Sequence, residues 1–230
     1  MVINELIKRS PIRIFEQSID GGLKPGEIGI IASVAGVGKT SVLVQLTLDK
    51  LLQGKRVIHV SFTQQKHYVP LWYEVFFSEF INKKNIAIPV EVKNDLAKNR
   101  VLMNFNQDGV TKEQIIKSLR AMIKDGGFNA DLIIIDGFDF SRSSDIHSCL
   151  ASVKAFASEL GLNVWYSCSI KDNNKIDSEI PGFAEQFDVV VNLQPKTDHV
   201  ELSIFRDRNT VVTKPIAMKL DPKTLLILEV

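Results

Sequence analysis

The sequence predicts an α/β protein: a mostly parallel sheet with helices on both faces and an antiparallel β extension at its C-terminal end. Three observations carry this expectation. Apolar runs of strand length at residues 28–32, 56–62, 101–105, 131–136 and 163–169 are separated by connections long enough to hold a helix, the pattern of parallel βαβ units. Leu132-Ile133-Ile134-Ile135 is an unbroken apolar run, as expected of a strand buried on both faces. Residues 187–193, 200–205, 211–220 and 225–230 read as further strands joined by short connections, which only antiparallel neighbours allow.

The remaining elements are read in chain order. Residues 3–9 form a short amphipathic helix and 11–15 a short edge strand. The turn-rich stretch 21–27 leads into the strand 28–32. A helix over 40–53, carrying Val42, Leu43 and Leu46, stops at Gly54 as a C-cap. Residues 67–80 are aromatic-rich, and Trp72, Phe76 and Phe80 fall on one helical face. We read that stripe as core packing in preference to a base-stacking or partner surface. Lys83-Lys84 and residues 93–100 read as solvated faces. A helix over 111–124 opens with a capping box, Thr111 with Gln114 three residues later. Residues 143–160 are helical, and the polar stretch 171–182 is a loop.

Composition bounds the function. With 230 residues, 45% hydrophobic and 24% charged, the chain fits one globular domain spanning 1–230, without repeat, low-complexity tract or linker. A formal charge of +1 does not argue for a general polyanion-binding surface. Cys149 and Cys168 make no metal or redox motif and read as reduced thiols. Residues 1–5 lack a signal-peptide pattern, and no run of about 18 apolar residues exists. The expected setting is cytoplasmic, away from membranes.

The chemistry concentrates in Ser33-Val34-Ala35-Gly36-Val37-Gly38-Lys39-Thr40-Ser41, between a strand and a helix. A loop in that position exposes successive N–H groups, and the helix adds its uncapped N–H groups and positive dipole end. The residues from Val34 to Ser41 are therefore the candidate cradle for nucleotide phosphates. Lys39 can reach the β/γ-phosphates, and the Thr40 hydroxyl can bind Mg²⁺. The pattern G-x-x-x-x-G-K-[ST] asks for glycine where this chain has Ser33, a small residue that we read as a tolerated variant. Asp136 closes the strand 131–136, at the end where open α/β sheets place ligands. It is the second candidate metal ligand, with Asp139 a weaker one.

Gly21-Gly22-Leu23-Lys24-Pro25-Gly26-Glu27 followed by the strand and Gly36-Val37-Gly38-Lys39-Thr40 resembles the RecA superfamily, in particular the KaiC and DnaB-type replicative helicase ATPase domains. So do Gly54-Lys55-Arg56-Val57-Ile58, Ala184-Glu185-Gln186-Phe187-Asp188 and Phe205-Arg206-Asp207-Arg208-Asn209. The resemblance covers roughly residues 10–220. It implies a RecA-like core, ATP or ADP with Mg²⁺, and rings or filaments with nucleotide between subunits. Members of the family carry glutamates after the second strand that activate water; here those positions fall on Thr63 and Gln64. Neither supplies a carboxylate base, though Gln64 can orient water. The family's basic pair that reaches a neighbour's γ-phosphate corresponds to Arg206 and Arg208, which on one strand would share a face. The alternative is a solvated pair, salt-bridged to Asp207 or Glu201. Lys39, Gln64, Arg206 and Arg208 are thus the catalytic candidates.

Three readings stay open at this stage. The first is a nucleotide-dependent regulatory or assembly switch with weak or absent hydrolysis. The second is an oligomeric ATPase motor on single-stranded nucleic acid, against which stands the lack of a helicase-type N-terminal domain in these residues. The third is a structural paralogue in which nucleotide only stabilises assembly.

Overall fold

The computed structural model describes residues 2–62, 68–84, 90–142, 145–172, 176, 180 and 184–229. Among these residues nine strands form one mixed sheet in the order β3-β2-β4-β5-β1-β6-β7-β8-β9. The strands are β1 (Ile28–Ser33), β2 (Val57–Ser61), β3 (Arg100–Asn104), β4 (Leu132–Asp136), β5 (Asn163–Ser169), β6 (Val189–Pro195), β7 (Val200–Asp207), β8 (Thr210–Leu220) and β9 (Ile227–Glu229). The six from β3 to β6 in that order are parallel, and β7, β8 and β9 continue as an antiparallel meander.

Alternation along the buried strands divides their side chains between two cores. In β4, Ile133 and Ile135 enter one core while Leu132 and Ile134 enter the other. The first core is closed by α6 (Lys112–Arg120) and α7 (Ile146–Leu160), through Ile115, Leu119, Leu150 and Phe156. The second is closed by α1 (Val2–Lys8), α2 (Ile12–Ser18), α3 (Lys39–Leu52), α4 (Tyr68–Lys84) and α5 (Val90–Lys98). Helices therefore cover both faces, as a central parallel sheet requires. Each fully buried Leu, Ile or Phe on these faces contributes about 1.5–3 kcal/mol.

Several elements differ from the sequence expectation. Residues 11–15 are not an edge strand, because the chain is helical over Ile12–Ser18. Ile12, Phe15 and Ile19 are all buried, and their spacing of three and four residues places them on one helical face. Residues 93–100 are not merely a solvated face: α5 buries Val92 and Leu96, four residues apart. The helix expected over 111–124 ends its α-helical part at Arg120 and continues as a π-helical turn, Ala121–Asp125. Its capping box forms, with Gln114 N–H donating to Thr111 Oγ1 at 3.3 Å and Thr111 N–H to Gln114 Oε1 at 2.8 Å. On α4, Phe76 is fully buried and Trp72 stacks on it with ring centroids 5.1 Å apart, while Phe80 packs against the same core. The stripe is core packing. Tyr68, Leu71 and Val75 of α4 are exposed.

Among the described residues no helix is long and apolar enough to cross a membrane. Of the loop 171–182, residues 173–175, 177–179 and 181–182 lie outside the described residues, as does Ser143.

Candidate functional site

The glycine loop connects Ser33, the last residue of β1, to Lys39, the first of α3. Gly36 has φ 80° and Gly38 φ 115°, both in the region that favours glycine. Gly38 is also the N-cap of α3 and supplies no side-chain cap. The first turn of α3 therefore keeps its N–H groups without side-chain capping there, at the positive end of the helix dipole. A Cβ on Gly36 would meet nothing within 4 Å, so the space above the loop is open; a Cβ on Gly38 would lie 2.5 Å from Leu220 Cδ2. The loop is open on one side and seated on the C-terminal meander on the other.

Ser33, the departure from the motif, is buried and its hydroxyl donates to Val34 O at 2.9 Å. Lys39 Nζ donates to Ser33 O at 3.1 Å, Val34 O at 3.0 Å and Ser33 Oγ at 3.3 Å. The ammonium is thus folded back over the carbonyl side of its own loop. Burial pushes its pKa down, opposed by Cys168 and Asp136. A cation held on carbonyl oxygens in a partly desolvated place is well matched to an anionic ligand, whose charge would offset that burial.

Asp136 is brought to α3 by the sheet. It ends β4 opposite Ser61 of β2, and its carboxylate is 2% exposed. Thr40 Oγ1 donates to Oδ2 at 2.8 Å, and Ser167 Oγ on β5 donates to Oδ1 at 2.6 Å. Gly137 N–H in turn donates to Ser167 Oγ at 2.8 Å. Behind the carboxylate lies His59 on β2, fully buried, with Nε2 at 4.0 Å from Asp136 Oδ2 and Nδ1 at 2.8 Å from the Tyr73 hydroxyl on α4. The imidazole is neutral: burial lowers its pKa to about 4, with Asp136 raising it and Arg100 lowering it.

Thr40 and Asp136 are hard oxygen donors, 2.8 Å apart, beside an open loop. That is the donor chemistry Mg²⁺ takes when phosphates and water complete its shell. Among the described residues no group of three or more His, Cys, Asp or Glu forms an all-protein metal cage. Such an incomplete set is one that could hold a magnesium ion, which usually keeps several waters in its shell.

The structure thus joins Lys39, Thr40 and Asp136 with the loop from Val34 to Ser41. Thr63 and Gln64 lie outside the described residues. Asp139 is occupied locally: its Oδ1 accepts from Ser141 N at 3.0 Å and Ser141 Oγ at 2.6 Å, and Oδ2 pairs with Arg142 at 3.2 Å.

The expectation that Arg206 and Arg208 share a strand face is corrected. β7 ends at Asp207, and Arg208 turns out of it at φ 53°. Its guanidinium is bidentate on Glu27, at 2.9 and 3.0 Å, and also donates to Asp207 at 2.5 Å and Gly22 O at 3.0 Å. Arg206 Nε donates to Arg208 O at 2.8 Å. Arg206 and Asp207 pair with Val190 and Val189, beside the amino end of β1, whereas the glycine loop leaves its carboxyl end. Within one chain the arginines lie at the far end of the sheet from Lys39.

Three residues of the site carried no motif: Ser167, His59 and Tyr73. One signal was available for His59, a polar aromatic between the apolar Ile58 and Val60 of a fully buried strand. A cavity of about 400 Å³ lies elsewhere, between α2, α3, α4 and β9, lined by Leu48, Leu52, Phe76, Phe77, Phe80 and Ile227 among others. It includes none of the glycine loop; its polar lining residues are Ser10, Gln45, Asp49 and Glu229.

Compared with known families and with curated proteins, the chain matches no family model and no curated protein.

Proposed function

We propose that this chain is a RecA-like protein that binds ATP or ADP with Mg²⁺ at Val34 to Ser41, and acts as a nucleotide-dependent regulatory or assembly switch. The observation that carries the reading is the convergence of Lys39, Thr40 and Asp136 at one open loop, with Thr40 and Asp136 hydrogen-bonded at 2.8 Å. Loop and helix N–H groups receive phosphate oxygens, and Lys39 leaves its loop carbonyls to pair with them. Thr40 and Asp136 hold Mg²⁺, which offsets negative charge on the phosphates when bound. Weak hydrolysis follows from the resemblance, since Thr63 and Gln64 stand where a carboxylate base is expected, and losing a base costs about 10²–10⁴ in rate.

Calorimetry with Mg·ADP tests the site. The wild type binds saturably, and Lys39→Ala weakens binding by about 10–100-fold, the worth of a lost charge-assisted hydrogen bond. Equal affinities would overturn the assignment. Phosphate release tests the switch: turnover well below the usual enzyme scale of about 1–10³ s⁻¹ is expected. Light scattering after size exclusion tests assembly, with a larger particle expected when Mg²⁺ and a non-hydrolysable ATP analogue are present. With Arg208 committed to Glu27, Arg206→Ala is the variant that probes a cross-subunit contact.

A further inference from the structure

We propose that His59 is a positioning residue for the metal-binding carboxylate, with its Nε2–H serving Asp136 from behind and its Nδ1 anchored to Tyr73 of α4. The inference rests on the reading of Thr40 and Asp136 as a magnesium site and adds the residue that orients it. Four observations lead to it. The His59 ring is fully buried in β2, away from bulk solvent. Among the described residues Nε2 has no hydrogen-bond partner, and a buried polar atom left unpaired is rare enough to need a cause. Asp136 Oδ2 stands 4.0 Å away, just beyond hydrogen-bond reach. The other ring nitrogen is fixed at 2.8 Å from the Tyr73 hydroxyl, so the ring is held from one side only.

The proton count decides the tautomer. A neutral imidazole has one N–H. Placing it on Nε2 aims a donor at the carboxylate and leaves Nδ1 to accept from the Tyr73 hydroxyl. The opposite tautomer sets a lone pair against a carboxylate oxygen, which is repulsive. Arg100 reinforces the arrangement from outside, with its guanidinium over the Tyr73 ring at 4.0 Å from the centroid. In the described state Thr40 supplies the hydrogen bond to Oδ2. If Thr40 Oγ1 were drawn to a bound cation, Oδ2 would lose that donor, and His59 Nε2–H, 4.0 Å away, is placed to replace it. The buried ring then fixes the plane of Asp136 and ties the metal site to α4. Partners of this kind orient ligands without touching the metal, and their removal typically costs about 10–100-fold in metal affinity.

The experiment measures ADP affinity by calorimetry with MgCl₂ and with EDTA, and takes the ratio as the Mg²⁺ gain. His59→Asn keeps a polar group near the Nδ1 position and loses the one at Nε2; its Mg²⁺ gain is expected to fall about tenfold or more. His59→Gln keeps a donor near Nε2 and is expected to restore most of the gain. Tyr73→Phe frees Nδ1 and is expected to fall between them, and metal-free ADP affinity stays near wild type throughout. Because a buried histidine variant can fail to fold, the wild type is also labelled with ¹⁵N-histidine: adding Mg²⁺ to the ADP-loaded protein is expected to move the His59 Nε2–H resonance downfield. A folded His59→Asn with undiminished Mg²⁺ gain, or an Nε2–H signal indifferent to Mg²⁺, overturns the role of His59 alone. A wild type that binds ADP without any Mg²⁺ gain overturns the magnesium reading, and one that binds no ADP overturns the nucleotide reading; this inference falls with either.

Discussion

Thr40 and Asp136, 96 residues apart in sequence, meet in a 2.8 Å hydrogen bond at the carboxyl end of the parallel sheet. The bond exists because β4 and α3 are both fixed by buried apolar faces, so two polar side chains arrive together without a local motif linking them. Thr40→Val keeps the shape and removes the hydroxyl; Asp136→Asn keeps the shape and removes the charge. Each is expected to lower the Mg²⁺-dependent part of nucleotide affinity by at least about tenfold. Calorimetry with and without chelator reads this directly, and a double variant no worse than either single one shows that the two act as a unit.

Arg208 and Glu27 make the second long-range link, 181 residues apart. Arg208 also holds the carbonyl of Gly22 and the side chain of Asp207, so it clamps the lead turn to the β7–β8 turn. Arg208→Ala is expected to cost about 1–3 kcal/mol of stability, the range for charge-assisted hydrogen bonds removed from partly buried partners. Glu27→Ala should cost a similar amount, and the double variant less than the sum. Urea unfolding measures all three, and nucleotide affinity should stay at the wild-type value. A pair of variants with wild-type stability but lost nucleotide-driven assembly would instead return Arg208 to the cross-subunit role.

The contrast between these two pairs shows what the sequence could reveal. The strand–loop–helix around the glycines was legible because its pattern is local: the three follow one another in sequence. Asp136 was legible because β4 is an apolar run ending in one acid. Arg208 was misplaced because its partner Glu27 is contributed by fold topology, and because strand alternation was extended one residue past the end of β7. The helix α2 was missed although Ile12, Phe15 and Ile19 have helical spacing, since a seven-residue window with Pro11 in front also fits a short edge strand. His59 and Ser167 belong to strands whose neighbours are known only once the strand order is known.

Phe76 and Trp72 separate packing from a binding surface. Phe76 is fully buried, so Phe76→Ala should cost about 3–5 kcal/mol, the range for a deleted core aromatic. Trp72 is half-buried and stacked on it, so Trp72→Ala should cost less. Thermal unfolding followed by circular dichroism ranks the two. The reverse ranking would mean that the stack, and not the buried ring, organises α4.

Glu159 supplies a pH-dependent contribution remote from the site. Arg120 donates to both its oxygens, at 2.6 and 2.8 Å, and Lys124 adds a contact at 3.0 Å. These hydrogen bonds, Arg120's first, hold its carboxyl down at about 2 from an ordinary 4.5. The folded-state value is depressed, so the stabilisation is fully present above the unfolded value and is lost as pH falls from 4.5 toward 2. Glu159→Gln should therefore be less stable than wild type near neutrality, with the difference shrinking through that window and also in high salt, because the cluster is exposed. Urea midpoints of the two proteins at neutral and acidic pH read the difference; one that stays constant across pH would show that the cluster is not coupled to folding.

The two loop glycines differ in what a methyl group would meet, and that difference is testable. At Gly36, φ is 80° and the Cβ direction is open, so Gly36→Ala carries only backbone strain, about 1–2 kcal/mol. At Gly38, φ is 115° and the added Cβ would sit 2.5 Å from Leu220 Cδ2, with Ser41 Oγ at 3.1 Å. Gly38→Ala therefore carries strain together with overpacking, which by itself costs about 1–3 kcal/mol. It should destabilise more than Gly36→Ala by roughly that overpacking cost. The worst contact comes from one neighbour, so most of the excess can be cancelled: Leu220→Ala alone opens a cavity and destabilises, but in the Gly38→Ala background it removes the clash with Leu220. The two changes should then be less harmful together than their sum, by more than the few tenths of a kcal/mol expected of independent sites. Strictly additive unfolding free energies would mean that the loop relaxes away from the meander instead of pressing on it. The same series carries a test of the proposed function, because Leu220 holds the loop from below while the Gly36 side stays open. Leu220→Ala alone should leave the order of nucleotide affinities unchanged between Lys39 and its alanine variant, so that support of the loop and its chemistry separate in one set of titrations.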